Sequence, residues 1–505
     1  MMRIRSGLAM ALASSGVAGR FAMENIISID FSKSRLQDGR VRSRSLWRTP
    51  DFLKLWTGET VSLLGSQVSL LAVPLAAITV LHASAFQVGA LSACETVPFL
   101  LVGLPAGVWV DRWRRRPVLI TADLGRAAML GSIPVAYGMG WLSLGQLYTV
   151  GILTGVSTVF FDVAYQAYLP RLVGREQLVE GNAKLEISRS GAQIAGPGLA
   201  GVLIHLLGAA NAVAADAISF VVSAIGVGAI RKAEPANHAR PATRMSAQIR
   251  EGLAYVLRHP VLRRIAGATG TSNFFSGMMT PVLLLFMVRG LHFGPGEIGL
   301  VLLLGNLGFL AGALLAAPVA RWLGLGTAIW LSMAVWGMGA LLAPLATRTD
   351  GFALLVVSGF VLAVSSPIYN VNQVSLRQAI CPDRIQGRMN ATIRFLVWGT
   401  LPIGGLVGGV LASTIGLRSS LWVAAIGGAL AFLWVIARPV RSLEQVPSAV
   451  PIEDAAFGQT REALLDGASP GATYALDVVE VVDGRSHDLV EGAEAVDDVV
   501  YDGVR

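Results

Sequence analysis

Twelve apolar runs, each long enough to cross a lipid bilayer as a helix, constrain this chain more than any other feature. The hydrocarbon core is about 30 Å thick, so a crossing helix needs roughly 20 apolar residues. Runs of that order fall at 53–81, 86–110, 117–138, 143–169, 184–207, 210–230, 264–288, 297–319, 326–346, 351–378, 389–414 and 418–437. Within hydrocarbon the backbone must satisfy its own hydrogen bonds, and runs of this length do so as helices. The chain is 53% hydrophobic and only 14% charged, against about 25% charged in an ordinary soluble domain. Its 57 glycines suit helices that pack closely in lipid. The expected fold class is all-α integral membrane, with twelve transmembrane helices.

Orientation follows from the Lys and Arg bias of the short loops, because positive charge stays on the cytoplasmic side. Arg112, Arg114, Arg115 and Arg116 follow the second run, Arg171, Arg175 and Lys184 the fourth, and Arg384 and Arg388 the tenth. The turns at 82–85, 138–141 and 208–209 carry no Lys or Arg. Both termini are therefore expected in the cytoplasm. A polar segment, 231–263, divides the runs into halves and predicts the domains 1–50, 51–230, 231–263, 264–440 and 441–505. Within that segment Met245 to Leu257 predicts a short amphipathic helix on an anionic leaflet, unless the segment is only a solvated basic linker. The first 50 residues set arginines from Arg3 to Arg44 around a weak apolar patch, Leu8 to Ala18, and read as a disordered cytoplasmic extension with Met23 as an alternative start. A cleaved leader is disfavoured because a full span follows. From about 442 onward the composition turns acidic, with Glu453, Asp454, Asp497 and Asp498 among its carboxylates, which predicts a disordered cytoplasmic tail.

A net charge of +8 does not point to nucleic acid, because the arginines sit in short loops between apolar runs. Cys94 and Cys381 make neither a disulfide framework nor a metal site. No hydrolytic grouping and no Gly-rich phosphate cradle is present. The expectation is no enzyme, no cofactor, no metal, and no energy coupling by bound ATP.

The halves resemble one another. Arg189 stands eight residues before Pro197 in the fifth run, and Arg394 stands eight before Pro402 in the eleventh, each leading into clustered Gly. Such internal similarity is how many carriers show their duplicated origin. After the second run comes Gly107-Val-Trp-Val-Asp111-Arg112-Trp-Arg114-Arg115-Arg116-Pro117, which resembles the loop signature of the major facilitator superfamily, with Arg114 where a second Gly is usual. The corresponding loop of the second half, ending Arg321-Trp322-Leu323-Gly324, lacks the Asp. Gly196-Pro197-Gly198-Leu199-Ala200-Gly201 looks like the Gly-Pro motif of that superfamily's drug-proton antiporters. Segments 169–190 and 371–395 resemble the branch that includes macrolide-efflux and enterobactin-exporter proteins. The likeness covers about 50–440 and implies two six-helix bundles rocking about a central site. Two departures touch proton coupling: the fourth run lacks the Arg that many relatives carry, and Ser66 stands where they often have Asp.

Candidate residues follow in four sets. Ionisable groups at membrane depth cost several kcal/mol unless paired or facing water, so Glu95, Asp216 and Glu59 are proton-coupling candidates. Gly107, Asp111, Arg112, Arg115 and Arg116 form a gating latch, with Asp111 at the positive start of the eleventh helix near Arg388, and Asp162 joins it by pairing with Arg112 or Arg189. Gly196, Pro197, Gly201 and Pro402 are helix-bending positions. Tyr165, Gln166, Asn273, Phe274, Asn306, Tyr369, Asn370, Asn372 and Gln373 are candidates for the substrate cavity, or equally for hydrogen bonds to neighbouring helices. The resulting expectation is a secondary carrier, monomeric, in a bacterial plasma membrane, exporting hydrophobic compounds or a siderophore against protons. A nutrient importer of the same fold and a non-transporting membrane sensor are the alternatives.

Overall fold

The structure, a computed structural model, describes residues 45–174, 177–232, 234, 245–437 and 439–443. The predicted extension up to residue 44 and the acidic tail from 444 lie outside the described residues. The chain divides into a unit ending at Thr49 and a unit beginning at Pro50. In the first, Leu46–Arg48 forms one 3-10 turn. The second carries every span.

The spans run Pro50–Thr79, Ala85–Leu101 with Gly103–Arg112, Arg115–Gly138, Leu144–Val173, Leu178–Leu207 and Ala209–Gly228 in the first half. In the second half they run Pro260–Leu285, Pro295–Leu323, Leu325–Leu342, Gly351–Ile380, Asp383–Trp398 with Thr400–Thr414, and Leu417–Ala429. Eleven of these helices are long and apolar enough to cross a membrane, and the second span reaches that length only as two pieces. No strand occurs among the described residues. Several helices begin before the apolar run that predicted them, as at Leu178 and Pro260. Hydropathy marks the hydrocarbon crossing, whereas the helical hydrogen-bond ladder continues into the polar interface.

Proline sets the breaks. A proline has no N–H to give the carbonyl four residues earlier, which weakens the ladder there. The second span divides after Leu101, four residues before Pro105, and the eleventh divides after Trp398, four before Pro402. In the fifth span Pro197 leaves the Gln193 carbonyl without its helical donor, and the Asn306 amide of the eighth span takes it at 2.7 Å. A break in one half thus becomes a contact with the other.

Within the first half the sixth span packs on both the first and the third, flanked by the second, fourth and fifth, and the second half repeats the scheme with its twelfth span on the seventh and ninth. The halves meet along two seams, second span on eleventh and fifth on eighth. Both seams close through glycine. A Cβ on Gly89 would strike the backbone of Gly405 and Gly409, and one on Gly201 would strike that of Gly299. The hairpins leading into the second and eighth spans match residue for residue. His82 (φ 51°) and His292 (φ 63°) both take the left-handed conformation, and Gln87 and Glu297 reach back to the backbone N–H of Ser84 and Gly294 at 2.7 and 2.8 Å.

At the arginine-rich end, carboxylates hold the helix ends together. Asp51 accepts the backbone N–H of Arg231 and Lys232 at 3.2 and 3.1 Å. Glu234 accepts those of Arg115 and Arg116 at 2.9 and 3.2 Å, capping the third span. The amphipathic helix predicted from the linker forms over Met245–Arg258. Val256 is buried in a cluster with Leu262, Met389 and Ile393, and Glu251 pairs with Arg388. Its face through Gly252 and Val256 therefore covers the start of the eleventh span.

Candidate functional site

A cavity of about 490 Å³ lies between the halves, with Glu59, Asp162, Tyr165 and Arg189 on one wall and Arg394 and Trp398 on the other. A second hollow of about 270 Å³ shares Asp162, Arg394 and Trp398 and adds Phe99 and Leu100. Gln166, Asn182, Glu186 and Arg189 in its walls are exposed, so the cavity reaches solvent on the arginine-rich side. The glycine seams seal the opposite side. Phe99 and Trp398, with ring centroids 5.5 Å apart, meet across the halves at the cavity's inner end.

Behind the Glu59 wall the first half buries a charged cluster. Asp123 is 0% exposed, Asp216 1%, Arg126 6% and Glu59 7%. Arg126 pairs with Asp123 one helical turn away. Its guanidinium lies between the rings of Phe161 and Phe220, 4.3 and 4.0 Å from their centroids, so apolar faces and a carboxylate replace its water. Asp216 accepts the Ser219 hydroxyl at 3.0 Å. Neither Asp123 nor Arg126 is among the candidates drawn from the sequence. The signal available was Asp123-x-x-Arg126, an i,i+3 pair of opposite charge in the middle of an apolar run. Glu95, by contrast, lies against Gly151 and Gly155 of the fourth span.

The second half has a different interior. A hollow of about 150 Å³ among its seventh, ninth and tenth spans is lined by Thr269, Asn273, Ser332, Trp336, Tyr369 and Asn370, with no ionisable carboxylate or cation among its lining residues. The Thr269 and Tyr369 hydroxyls bond at 2.6 Å.

The structure sorts the remaining sequence candidates by place. Tyr165 and Gln166 line the large cavity, and Asn273, Tyr369 and Asn370 line the second-half hollow. Asn273 donates to the Val397 carbonyl at 3.1 Å, Asn306 to Gln193, and Asn372 to Ala316 and Ile368 at 3.2 and 2.8 Å. Phe274 meets Phe275 edge to face, and Gln373 is buried beside Asn370. Gly196, Pro197, Gly201 and Pro402 are buried at helix contacts. Gly107 lies on the second piece of the second span. The side chain of Asp111 lies outside the described residues, and Arg112 is exposed. Arg115 approaches Glu234 at 3.7 Å, and Arg116 donates to the Val227 carbonyl at 3.2 Å and to that of Gly228. Asp162, Arg189 and Arg394 share the cavity wall.

Two six-helix bundles joined by symmetric seams around a polar cavity define a secondary transporter of the major facilitator fold. A family model described as transmembrane secretion effector matches residues 44–459, and the chain belongs to that family. Among curated relatives it is 28% identical to the multidrug efflux pump Tap of Mycolicibacterium fortuitum over 355 residues, 67% of this chain and 84% of that protein. It is 24% identical to macrolide efflux protein A of Streptococcus pyogenes over 371 residues, 73% of this chain and 90% of that one. Among solved structures, a bacterial homologue of the iron transporter ferroportin in its inward-facing state aligns with a TM-score of 0.65 at 19% identity, over 78% of this chain and 99% of that one. The nucleoside transporter NupG, as a point variant, aligns at 0.63 and 14%, over 77% and 100%. The family is one of membrane transporters, a non-enzymatic class, and the relatives are bacterial multi-pass membrane proteins.

Proposed function

We propose that the chain exports small amphipathic molecules by alternating access, in exchange for protons. The observation that carries this reading is the asymmetry of closure, with glycine seams at one end and a cavity built by both halves reaching solvent at the arginine-rich end. With the arginine loops in the cytoplasm, as the positive-inside bias favours, that cavity loads from inside the cell. Its lining pairs aromatic surface at Phe99 and Trp398 with charge at Asp162 and Arg394, which suits a substrate having one greasy face and one polar group. Two of its relatives, a multidrug efflux pump and a macrolide efflux protein, support the same substrate class.

In this reading Pro197 and Pro402, with Gly196 and Gly201, let the seam helices bend as the halves rock. The turn from Gly107 to Arg116 closes the cytoplasmic end in the opposite state. Glu59 and Asp216 carry the exchanged proton, with Glu95 as a further, partly buried carboxylate. The chain works as a monomer in the plasma membrane with both ends inside. The test supplies ethidium or erythromycin outside everted membrane vesicles under an imposed acid-inside gradient. Uptake well above that of vesicles lacking the protein, collapsing with the gradient, is expected. Uptake indifferent to the gradient overturns proton exchange, and flux only in the opposite direction overturns export.

A further inference from the structure

The buried cluster of the first half continues into a polar seam between the first, third and sixth spans. Ser62, Ser69, Ser219 and Ser223 on that seam are 4, 9, 4 and 1% exposed. The first span presents Gly58 and Gly65 to it. A Cβ on Gly58 would meet Ser223, and one on Gly65 would meet Ser219 and Asp216. The helices approach so closely because side chains of the sixth span occupy the space those glycines leave. The Ser223 hydroxyl faces Asp123 and the Ser69 hydroxyl faces Asp216. Glu59, at one end, also lines the large cavity. From Glu59 to Ser69 the seam follows ten residues of the first span, about 15 Å of helix rise.

This is a poor way to build a static core. The seam encloses three carboxylates, Glu59, Asp123 and Asp216, and one guanidinium, Arg126. Glu59 Oε2, Asp123 Oδ2 and Arg126 Nε, each in a residue more than nine-tenths buried, have no hydrogen-bond partner. Full ionisation would leave two uncompensated negative charges in a medium of low dielectric. Neutrality requires two protons shared among three acids. Asp162 and Arg189 share the cavity wall with Glu59, while Arg126 and Asp123 are the nearest charged partners of Asp216 within the cluster.

We propose that protons pass through the interior of the first six-helix bundle along this seam, between Glu59 at the cavity and Asp216 beyond it, with Asp123 and Arg126 as the exchange pair. The inference rests on the proton-coupled reading above and gives that proton a route separate from the substrate. With Asp123 ionised beside Arg126, a proton leaving Asp216 for Asp123 neutralises Asp123 and ionises Asp216, which then takes up a proton from the side away from the cavity. Arg126 turns from Asp123 to Asp216 during that transfer, so one positive and one negative charge remain paired through it. Once Glu59 has released its proton to the cavity, Asp123 passes its proton to Glu59 in the same way, which completes the passage toward the arginine-rich side, and the serine hydroxyls, donors and acceptors at once, bridge the acids.

The test compares two fluxes of ethidium in everted vesicles carrying the full chain: accumulation driven by an acid-inside gradient, and downhill equilibration without one. Wild type must accumulate the dye for the proton-coupled reading to stand, and its failure overturns both. Given that, Asp123→Asn and Asp216→Asn each lower driven accumulation at least tenfold, and Asp123→Asn leaves downhill flux within threefold. Accumulation retained within twofold, or both fluxes lost together in protein that remains monodisperse, overturns the seam alone. Dicyclohexylcarbodiimide, which reacts with protonated carboxyls in apolar surroundings, supplies a second measurement on the unaltered protein. Peptide mass spectrometry locating the adduct on Glu59, Asp123 or Asp216 supports the seam, and an adduct on none of the three overturns it.

Discussion

The two halves share a frame and differ in what they bury. Ten Asp and Glu residues lie between residues 50 and 230, and three of them, Glu59, Asp123 and Asp216, are buried inside the first bundle. Between 260 and 437 the sequence has three, Glu297, Asp350 and Asp383, and all stand at helix ends. The second half buries Ser332, Ser358, Ser365, Asn372 and Gln373 instead. Duplication explains the matching hairpins and glycine seams, since closure needs the same geometry on both sides. It does not require matching chemistry inside each bundle. The first half can hold charge and move it, whereas the second offers neutral donors and acceptors whose hydrogen bonds do not change with proton supply.

The sharpest way to break this comparison is to remove one interaction from each interior. Arg126→Met leaves Asp123 buried without its cation, and breaking a buried pair from one side costs about 3–5 kcal/mol. Asp123→Asn in the same chain recovers much of that, because the unpaired charge is gone. In the second half Tyr369→Phe removes the hydroxyl bonded to Thr269 and costs about 1 kcal/mol. Thermal unfolding of the purified full-length protein in one detergent measures all three. Equal losses for Arg126→Met and Tyr369→Phe end the claim that the halves differ in kind.

A smaller and pH-dependent effect separates the basic ends of the halves. The first span begins at a carboxylate, Asp51, whereas the seventh is capped by His259, whose Nδ1 accepts the N–H of Val261 and Leu262 at 3.3 and 3.4 Å. Burial pushes the His259 pKa down to about 4 from 6.5. The neutral ring is therefore the folded form. As pH falls from about 6.5 to about 4 the unfolded chain binds a proton that the folded chain refuses, so stability declines across that window, by up to about 3 kcal/mol at its lower end. Above pH 6.5 the contribution is constant. His259→Asn keeps a capping acceptor that does not titrate, and its unfolding temperature relative to wild type rises as pH is lowered from 7 to 5. A difference between the two proteins that stays flat over that range removes His259 as a pH-sensitive cap.

The contrast between frame and interior also explains what the sequence made legible. Spans announce themselves by length and hydropathy, a signal repeated over some 20 residues each, and the twelve runs land on helices of which eleven are long and apolar enough to cross, the second run being split in two pieces. The Gly-Pro repeat of the fifth and eleventh spans was visible because both residues have strong backbone signatures. The hairpin repeat was weaker in sequence, since Leu81-His82 and Leu291-His292 are separated from Gly89 and Gly299 by dissimilar residues, and only the shared left-handed histidines make it plain. Asp123 was missed because a single carboxylate in an apolar run carries no information about what faces it. Ser223, which faces it, and Phe220, whose ring covers its partner Arg126, lie nearly one hundred residues away in sequence, and only helix packing brings them together. Pro197 was legible as a bend, but not that its orphaned carbonyl at Gln193 would be taken by Asn306.

That last contact yields the finest test of the symmetric frame. The fifth–eighth seam holds a side-chain hydrogen bond across the halves, Asn306 to Gln193 at 2.7 Å; at the far end of the second–eleventh side, Arg289 donates to the Ala83 carbonyl at 2.7 Å. Hydrogen bonds of this kind between membrane helices are worth about 0.6–1.7 kcal/mol. Because the Asn306 bond joins the halves where the cavity opens on the arginine side, Asn306→Leu removes that stabilisation from this state and spares any state in which the seam parts. A loss of about 1 kcal/mol shifts the balance between states roughly fivefold. A cysteine placed at Asn182, exposed in the cavity wall, in a chain with Cys94 and Cys381 replaced by Ser, reports that balance through its rate of alkylation. The rate is expected to fall several-fold when Asn306→Leu is added, and Arg289→Gln is expected to lower it to a similar extent if the two sides are energetically equivalent. An unchanged rate with Asn306→Leu means that glycine contact alone sets closure, and unequal effects mean that the duplicated frame has diverged along with the interiors it encloses.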